Sequence, residues 1–300
     1  YQEFSYNSRA SDLDFDNEFE QVVTWRERAR CRTKQANVLL GLDASSWCVT
    51  PTHFQKSTFP SVYQKQISVI HDGINCQVAI PDSDPQPLTL ASGMKLLKGM
   101  PIVTFVSRCL EPYRGIHSFL RAVPAIHRQN PEAQIVIVGQ EEGVSYGSPC
   151  PFAPSWKDHL LNEISGQYDP ERLHFLGSVP HAQFIQLMQL SAAHVYLTYP
   201  FVLSWSLLEA MACGCAVVGS ATAPVQEVIQ DGHNGLLVDF FSPSAIASAV
   251  LDLLAHAEHT EKMRYHARQT VLEHYSLNRC LPQHLALIEL VRNGTLRADG

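Results

Sequence analysis

Residues 101–115 read PIVTFVSRCLEPYRG, and this stretch decides the fold. It begins with a short apolar run, Ile102–Val106, which passes into a polar loop. A helical pattern follows from Gly115 to Arg128, and a second apolar run occupies Gln134–Val138. A strand, a helix and a second strand in this order are typical of a parallel sheet in which the helix crosses over one face.

The same alternation continues towards the carboxyl terminus. Further strands are predicted at Leu173–Phe175, His194–Thr198, Cys215–Gly219 and Gly235–Val238. Intervening helices are predicted at Trp156–Ser165, Ala182–Ser191, Ser206–Ala212 and Val225–Gln230, and closing helices at Ser244–Ala255, Glu258–Tyr275 and Asn278–Val291. The pattern predicts an α/β protein with a doubly wound parallel sheet covered by helices on both faces.

The amino-terminal part shows only the end of a second α/β unit. A helical pattern covers Phe19–Leu42, and β-rich runs at Trp47–Thr50 and Ile67–Ile70 flank the helix-like Pro51–Phe59. Residues 76–100 are rich in proline and aspartate, which is typical of a linker. We therefore predict an incomplete first domain at residues 1–75, a linker at 76–100 that leads to the first strand of the sheet, a complete domain at 101–275, and a terminal helix and tail at 276–300.

Composition narrows the classes of partner and site. The chain has 22 Lys and Arg against 29 Asp and Glu, a net charge of −7, which argues against nucleic acid as a partner. Apolar residues make up 45% of 300, enough for a core in two domains. The eight cysteines are scattered without a C-x-x-C pair, so we predict no metal site and reduced thiols in a cytoplasmic protein.

Two arginines lie six positions apart after the first strand of the complete domain. Ligands of such sheets bind beyond the carboxyl ends of the strands, and Arg108 and Arg114 lie there, just before a helix begins. Both guanidinium groups could therefore reach one phosphate-like anion, assisted by the amino end of that helix. The alternative is a pair of surface arginines, with Arg108 bound to Glu111.

A solitary glutamate follows the fourth strand of that domain, in residues 199–215, YPFVLSWSLLEAMACGC. Ser206 and Glu209 match a capping box, which would explain the glutamate by itself. Alternatively, Glu209 could accept hydrogen bonds from vicinal hydroxyls, while backbone amides around Ser204 and Ser206 face a phosphate. Because the chain contains no G-x-G-x-x-G and no P-loop motif, dinucleotide oxidoreductases and P-loop NTPases lack support.

Taken in order, these motifs resemble the carboxyl-terminal half of the group 1, family 4 retaining glycosyltransferases, which have the two-domain GT-B fold. The motifs are Ser107-Arg108 with Arg114-Gly115, IVIVG at 135–139, HFLGSV at 174–179, LEAMACG at 208–214 and DGHNGLLV at 231–238. Upstream, VTPTHFQ at 49–55, Phe59-Pro60 and IHDGIN at 70–75 resemble the end of the acceptor-side domain in a polysaccharide-associated branch of the family.

The resemblance implies a role for each candidate residue. Arg108 and Arg114 would hold the diphosphate of a nucleotide-sugar donor, and Glu209 would bind its ribose. The nucleobase would meet the backbone near Gly139, Ser178 and Val179. Ser204, Trp205 and Ser206 replace the Gly-x-Gly loop of the family and would also contact the diphosphate. The donor is expected to be linked to UDP or GDP, with no further cofactor and no metal.

Two departures from the family pattern affect the expected activity. Phe201 occupies the position of a second family glutamate, eight residues before Glu209, which normally lies near the donor sugar. The acceptor-side domain is represented only by its last third, so we expect that roughly a hundred residues or more are missing. The main catalytic residues, which the family usually draws partly from that domain, would lie in the missing part.

The resemblance implies a retaining hexosyltransferase-type enzyme that transfers a sugar to a glycan or lipid-linked acceptor in cell-surface polysaccharide synthesis. Such a protein would be cytoplasmic or peripheral at the inner face of the membrane, which it would contact through the missing domain. Two alternatives remain open. One is a nucleotide-binding or partner-binding module that has lost transfer activity, and the other is a sugar-nucleotide epimerase of the same fold.

Overall fold

The computed structural model describes Phe15, Glu18, Phe19 and residues 24–296, without the side chains of Glu27, Arg28 and Cys31. The predicted helix start at Phe19 precedes residues 20–23, which lie outside the described part, and the last four residues of the predicted tail also lie outside it. No helix in the described ranges combines the length and the apolar character needed to span a bilayer.

The amino-terminal part is a small parallel pair of strands with helices beside it. Its elements are α1 (Trp25–Ala44), β1 (Cys48–Thr50), α2 (His53–Thr58), α3 (Ser61–Gln64) and β2 (Ile67–Val69). β1 and β2 are parallel, with Thr50 opposite Val69. Leu42, Phe59 and Ile67 form a small core beneath them. The strand–helix–strand order predicted for this part is therefore present.

A short hairpin occupies the segment that was predicted as an irregular linker. It consists of β3 (Leu88–Thr89) and β4 (Lys95–Leu96), which pair in antiparallel fashion. Gly93 has a φ of 85° and closes the turn, a conformation that glycine adopts without strain. Leu88 and Leu96 are buried in the core of the following domain, so this segment is packed against that domain. Strands of two residues are too short to leave a periodic signal.

Six parallel strands form the main sheet. They are β5 (Ile102–Cys109), β6 (Gln134–Gln140), β7 (Leu173–Phe175), β8 (Ala193–Tyr196), β9 (Val217–Ser220) and β10 (Leu236–Val238). Their order across the sheet is β10-β9-β8-β5-β6-β7, so the chain winds outward from β5 in both directions. All six strands were predicted. β5 runs past a register shift between Val106 and Cys109, which places Arg108 on the strand itself.

Helices cover both faces of the sheet, as the doubly wound prediction requires. They are α4 (Ile116–Gln129), α5 (Trp156–Glu163), α6 (His181–Leu190), α7 (Trp205–Ala212), α8 (Ala223–Gln226), α9 (Pro243–Ala255), α10 (Ala257–Thr270) and α11 (Leu277–Arg292). One hydrophobic cluster joins Val103 and Phe105 to α4, α5 and α9, and a second joins Ile102 to α6, α7 and α8. Alternate strand residues therefore enter opposite cores.

The last predicted helix pair is divided differently in the structure. The single helix expected over Glu258–Tyr275 is α10 followed by a π-helical turn, Val271–Tyr275. α11 then starts against the amino-terminal part, because the Leu277 amide donates to the Ile74 carbonyl at 2.8 Å. Farther along, the His284 ring nitrogen Nε2 lies 3.2 Å from the His71 carbonyl. The boundaries at residues 75 and 275 remain predictions.

Candidate functional site

The carboxyl ends of β5 and β6 and the loop that follows β7 meet at the carboxyl edge of the sheet. The Gly139 amide, in β6, donates to the Gly177 carbonyl at 2.9 Å, which joins the end of β6 to the loop after β7. A Cβ atom on Gly139 would lie 2.7 Å from the carbonyl oxygen of Ser107, in β5. Close backbone approach therefore requires glycine here. Ser178, exposed, and Val179, half-buried, continue the loop after β7.

Arg114 is the buried cation of this edge. It ends a 3-10 turn, Pro112–Arg114, and only 7% of the residue is exposed. Its Nη1 donates to the Thr198 hydroxyl at 2.8 Å and to the Val202 carbonyl at 3.1 Å. Two hydrogen bonds from one nitrogen therefore hold the loop after β5, which carries Arg114, against the loop after β8.

Aromatic rings cover the Arg114 guanidinium. Its Cζ lies 5.1 Å from the centroid of Tyr146 and 5.5 Å from that of Phe201, within the range of cation–π attraction. Phe201 is 3% exposed and meets the rings of Tyr146 at 4.7 Å and Tyr113 at 5.1 Å, both edge to face. The ring that replaces the family glutamate is therefore buried against the cation.

Glu111 anchors the loop after β6. Its fully buried carboxylate accepts hydrogen bonds from the backbone amides of Ser145, Tyr146 and Gly147, the last at 2.9 Å. The alternative that Glu111 pairs with Arg108 is therefore wrong. Arg108 is exposed, and in the described part of the chain its side chain has no ion pair or hydrogen bond. No motif of the sequence indicates this anchoring role of Glu111.

Ser204 caps the helix that follows β8. Its hydroxyl accepts from the Ser206 amide at 3.4 Å, and α7 begins at Trp205, one residue before the predicted start. The Ser204 amide donates to the Tyr196 hydroxyl at 2.7 Å. Burial raises the pKa of Tyr196, and the nearby Arg114 guanidinium partly offsets that shift. Arg114 and the amino end of α7 are thus joined through Tyr196.

Glu209 does not cap this helix, so the capping-box alternative is wrong. Its Oε1 lies 2.7 Å from Nε2 of His181, the first residue of α6. The Glu209 side chain is 17% exposed and that of His181 is 58% exposed. His181 was not among the predicted site residues. Its place two positions after Val179 was the available signal.

Trp205 connects the site to the amino-terminal part. Its indole is 49% exposed and donates to a carboxylate oxygen of Asp72 at 3.0 Å. Asp72 is half-buried, and burial raises its pKa, although the indole bond and His284 lower it. Asp72 borders a cavity of about 270 Å³ whose other lining residues are Val49, Thr50, Pro51, Gln55, Ile70 and His284. Asp72 lies in the motif at 70–75, and the resemblance implies no role for it.

A second contact joins the two parts nearby. The backbone amides of His53 and Phe54, at the start of α2, donate to the Glu227 carboxylate just after α8, the His53 bond measuring 2.8 Å. Within the described residues, no group of three His, Cys, Asp or Glu side chains could hold a metal ion. The ligand roles of Arg108, Arg114, Glu209 and the three loop residues 204–206 remain predictions.

Solved structures show the fold class. The chain superimposes on sucrose-phosphate synthase from Thermosynechococcus elongatus with a TM-score of 0.69 and 19% identity, over 87% of this chain and 62% of that one. It also superimposes on Anabaena HepE, solved with UDP and glucose, with a TM-score of 0.68 and 18% identity, over 89% and 67%. The predicted GT-B class is confirmed by this likeness.

Curated relatives are about one quarter identical to this chain over the aligned residues. An uncharacterised glycosyltransferase of Methanocaldococcus jannaschii is 26% identical over 190 residues, 63% of this chain and 45% of the relative. Spore coat protein SA of Bacillus subtilis is 26% identical over 279 residues, 86% and 68%. A D-inositol 3-phosphate glycosyltransferase of Mycolicibacterium vanbaalenii is 25% identical over 218 residues, 71% and 47%. The chain thus spans about half the length of two of these relatives.

Family models cover both parts of the chain. Residues 1–79 match the model described as "Glycosyl transferase family 4 group". Residues 94–270 match the model described as "Glycosyl transferases group 1", which is more than half of the 300 residues. Because this model covers more than half of the chain, the chain belongs to the group 1 glycosyltransferases.

Proposed function

We propose that this chain carries the donor site of a retaining glycosyltransferase that takes a hexose from a UDP- or GDP-sugar. One observation carries the proposal. The buried Arg114 and the amino end of α7 are held together through Val202 and Tyr196, at the edge where Arg108 is exposed. Parallel sheets bind their ligands at this edge.

The arrangement suits a leaving diphosphate. When the glycosidic bond of the donor breaks, negative charge develops on the diphosphate oxygens. Arg108 and Arg114, with the partial positive charge at the amino end of α7, would stabilise this charge, and Arg114 is in place before the reaction. Thr198 and the rings of Tyr146 and Phe201 fix Arg114 in advance. Little reorganisation is then needed in the transition state.

The nucleoside end of the donor would lie farther along α7, at Glu209. Glu209 has one oxygen bound to His181 and a second oxygen, Oε2, with no protein partner in the described ranges. An ionised carboxylate accepts hydrogen bonds only, which suits the vicinal hydroxyls of a ribose. Ser178 and Val179 would present backbone groups to the base. The solved complex of HepE with UDP and glucose supports this class of ligand.

The acceptor is proposed to be a glycan or a lipid-linked glycan, in cell-surface polysaccharide synthesis at the cytoplasmic side of the membrane. Support comes from the match of residues 1–79 to the family 4 model and from the polysaccharide-associated motifs at 49–55 and 70–75. Relatives include a phosphatidyl-myo-inositol mannosyltransferase of Mycolicibacterium smegmatis, 29% identical over 228 residues, whose name gives a phospholipid as its substrate.

A second candidate is a binding module that holds the nucleotide without transfer. The observation that favours it is Phe201, because a buried phenyl ring cannot provide the polar contact to a donor sugar that a glutamate would. In this case the diphosphate and ribose would bind as above. The sugar would be left without a partner at that position.

The experiment first titrates the 300-residue chain with UDP and with GDP by calorimetry. It then incubates the chain with a panel of UDP- and GDP-hexoses and lipid-linked glycan acceptors, and follows product by mass spectrometry. Saturable binding of either nucleotide together with an elongated acceptor supports the transferase. Binding without product supports the module, and no binding of either nucleotide refutes both.

A further inference from the structure

We infer that His181 is a positioning residue that orients Glu209 to receive the ribose of the donor. The inference rests on the proposed function and extends it to a residue that no family motif assigns. The distance of 2.7 Å between His181 Nε2 and Glu209 Oε1 is that of a strong hydrogen bond to a carboxylate.

The hydrogen bond between His181 and Glu209 lies among uncharged residues, where Glu209 is largely buried. Glu209 lies in α7, whose other residues from Trp205 to Ala212 are uncharged, and its side chain is 17% exposed. A carboxylate that is largely withdrawn from water needs a donor to fix its orientation. In the described part of the chain, His181 is the side chain that provides one, so the imidazole determines which oxygen stays available.

The same bond ties two parts of a nucleoside site together. His181 is the first residue of α6 and directly follows the loop that carries Ser178 and Val179. Its ring lies 6.0 Å from that of Phe184, which is buried, so the side chain is supported from one side. The hydrogen bond therefore sets the spacing between the loop expected at the base and the carboxylate expected at the ribose.

If His181 and Glu209 formed only a surface ion pair, their atoms could lie at the same distance, but the loss of His181 would not change the preference of the chain for one nucleotide over another. If His181 positions Glu209, its removal weakens only the contact to the ribose hydroxyls. Affinity for a nucleotide that lacks these hydroxyls then stays the same. The preference for UDP over 2′,3′-dideoxy-UDP, or for GDP over its dideoxy analogue if GDP binds more tightly, measures this contact directly.

The test measures that preference by calorimetry in the wild-type chain and in His181→Leu, His181→Gln and Glu209→Gln. We expect the wild type to prefer the ribonucleotide by about 10-fold or more, the value of a hydrogen bond to a charged group. His181→Leu and Glu209→Gln should reduce the preference to about 3-fold or less. His181→Gln keeps an N–H donor near the position of Nε2 and should retain most of it.

A matched control is His256→Leu. His256 is also an exposed histidine at a helix start and lies 2.8 Å from a carboxylate oxygen of Asp252, in a pair away from the sheet edge. Its substitution should leave the preference unchanged. Thermal melting of each variant checks folding, which the exposure of His181 should preserve.

The outcomes separate the inference from the proposed function. Full preference in His181→Leu, together with its loss in Glu209→Gln, overturns the role of His181 and leaves the donor site intact. A wild type that binds both nucleotide forms equally overturns the ribose role of Glu209 and, with it, that of His181. A chain that binds neither UDP nor GDP overturns the proposed function itself.

Discussion

Replacing either arginine of the site should weaken nucleotide binding, but only the replacement of Arg114 should also lower the free energy of unfolding substantially. Arg108 is exposed and bonds to nothing in the described part, so Arg108→Ala should change the free energy of unfolding by less than about 0.5 kcal/mol. A lost charge-assisted hydrogen bond to the diphosphate costs about 1.5–3 kcal/mol. Affinity for UDP or GDP should therefore fall by roughly 10- to 100-fold.

Arg114→Ala should lower both affinity and stability. Nη1 of Arg114 is bound to Thr198, which is fully buried, and to the Val202 carbonyl. Each buried polar group left without its partner costs about 1–3 kcal/mol. The two together predict a loss of roughly 2–6 kcal/mol in the free energy of unfolding, to which the lost contacts with the rings of Tyr146 and Phe201 would add.

The assay pairs calorimetric titration of the nucleotide with urea denaturation of each variant. Arg128→Ala is the matched control, because Arg128 is also exposed but lies in the last turn of α4, away from the carboxyl edge of the sheet. Unchanged nucleotide affinity in Arg108→Ala would refute the hypothesis that both arginines bind the diphosphate. An unchanged free energy of unfolding in Arg114→Ala would refute the hypothesis that the buried bonds of Arg114 stabilise the fold.

Three further experiments test the fold and its pH response. Gly139→Ala places a methyl group 2.7 Å from a backbone carbonyl and should destabilise by about 1–3 kcal/mol in urea denaturation, whereas Gly41→Ala in an open helical position should be neutral or stabilising. Burial lowers the pKa of His194 from 6.5 to about 4. The unfolded chain therefore binds a proton at His194 before the folded chain does, so the free energy of unfolding is highest above pH 6.5 and falls by up to about 3 kcal/mol as the pH drops to 4. His194→Gln should reduce this pH dependence in urea denaturation. A double-mutant cycle of Trp205→Phe and Asp72→Ala should give a coupling of about 1 kcal/mol, and a coupling of zero would contradict the indole–carboxylate bond.

The main sheet could be predicted because its strands are buried on both faces. Runs such as Ile135-Val136-Ile137-Val138 are apolar throughout, and α4 and α6, which separate β5 from β6 and β7 from β8, have 14 and 10 residues. The hairpin of Leu88–Thr89 and Lys95–Leu96 could not be predicted, since its pairing depends on a turn and on burial against the following domain. The burial of this hairpin depends on tertiary contacts, which the local hydrophobic periodicity of the sequence does not indicate.

The residues of the candidate site that stand in sequence motifs could be predicted, but their partners from loops after other strands could not. Arg114 and Glu209 stand in recognisable patterns, and both lie at the predicted edge. Their partners do not, because His181 is 28 residues from Glu209, and Thr198 is 84 residues from Arg114. Glu111 shows the same limit, since its three amide donors come from a loop more than thirty residues later.

The buried phenyl ring at position 201 has an electrostatic consequence for the proposed donor site. A carboxylate this close to Arg114 would form an ion pair with it and cancel much of its charge towards an incoming anion. The rings of Phe201 and Tyr146 instead hold the guanidinium through their quadrupoles, and Thr198 and Val202 bind it as neutral acceptors. Arg114 therefore keeps its net positive charge in a largely water-excluded position, where attraction for a diphosphate is strongest. On this reasoning Phe201→Glu should weaken UDP or GDP binding even though it restores the family residue, and tighter nucleotide binding by that variant would show that the missing carboxylate, rather than the cation, limits the site.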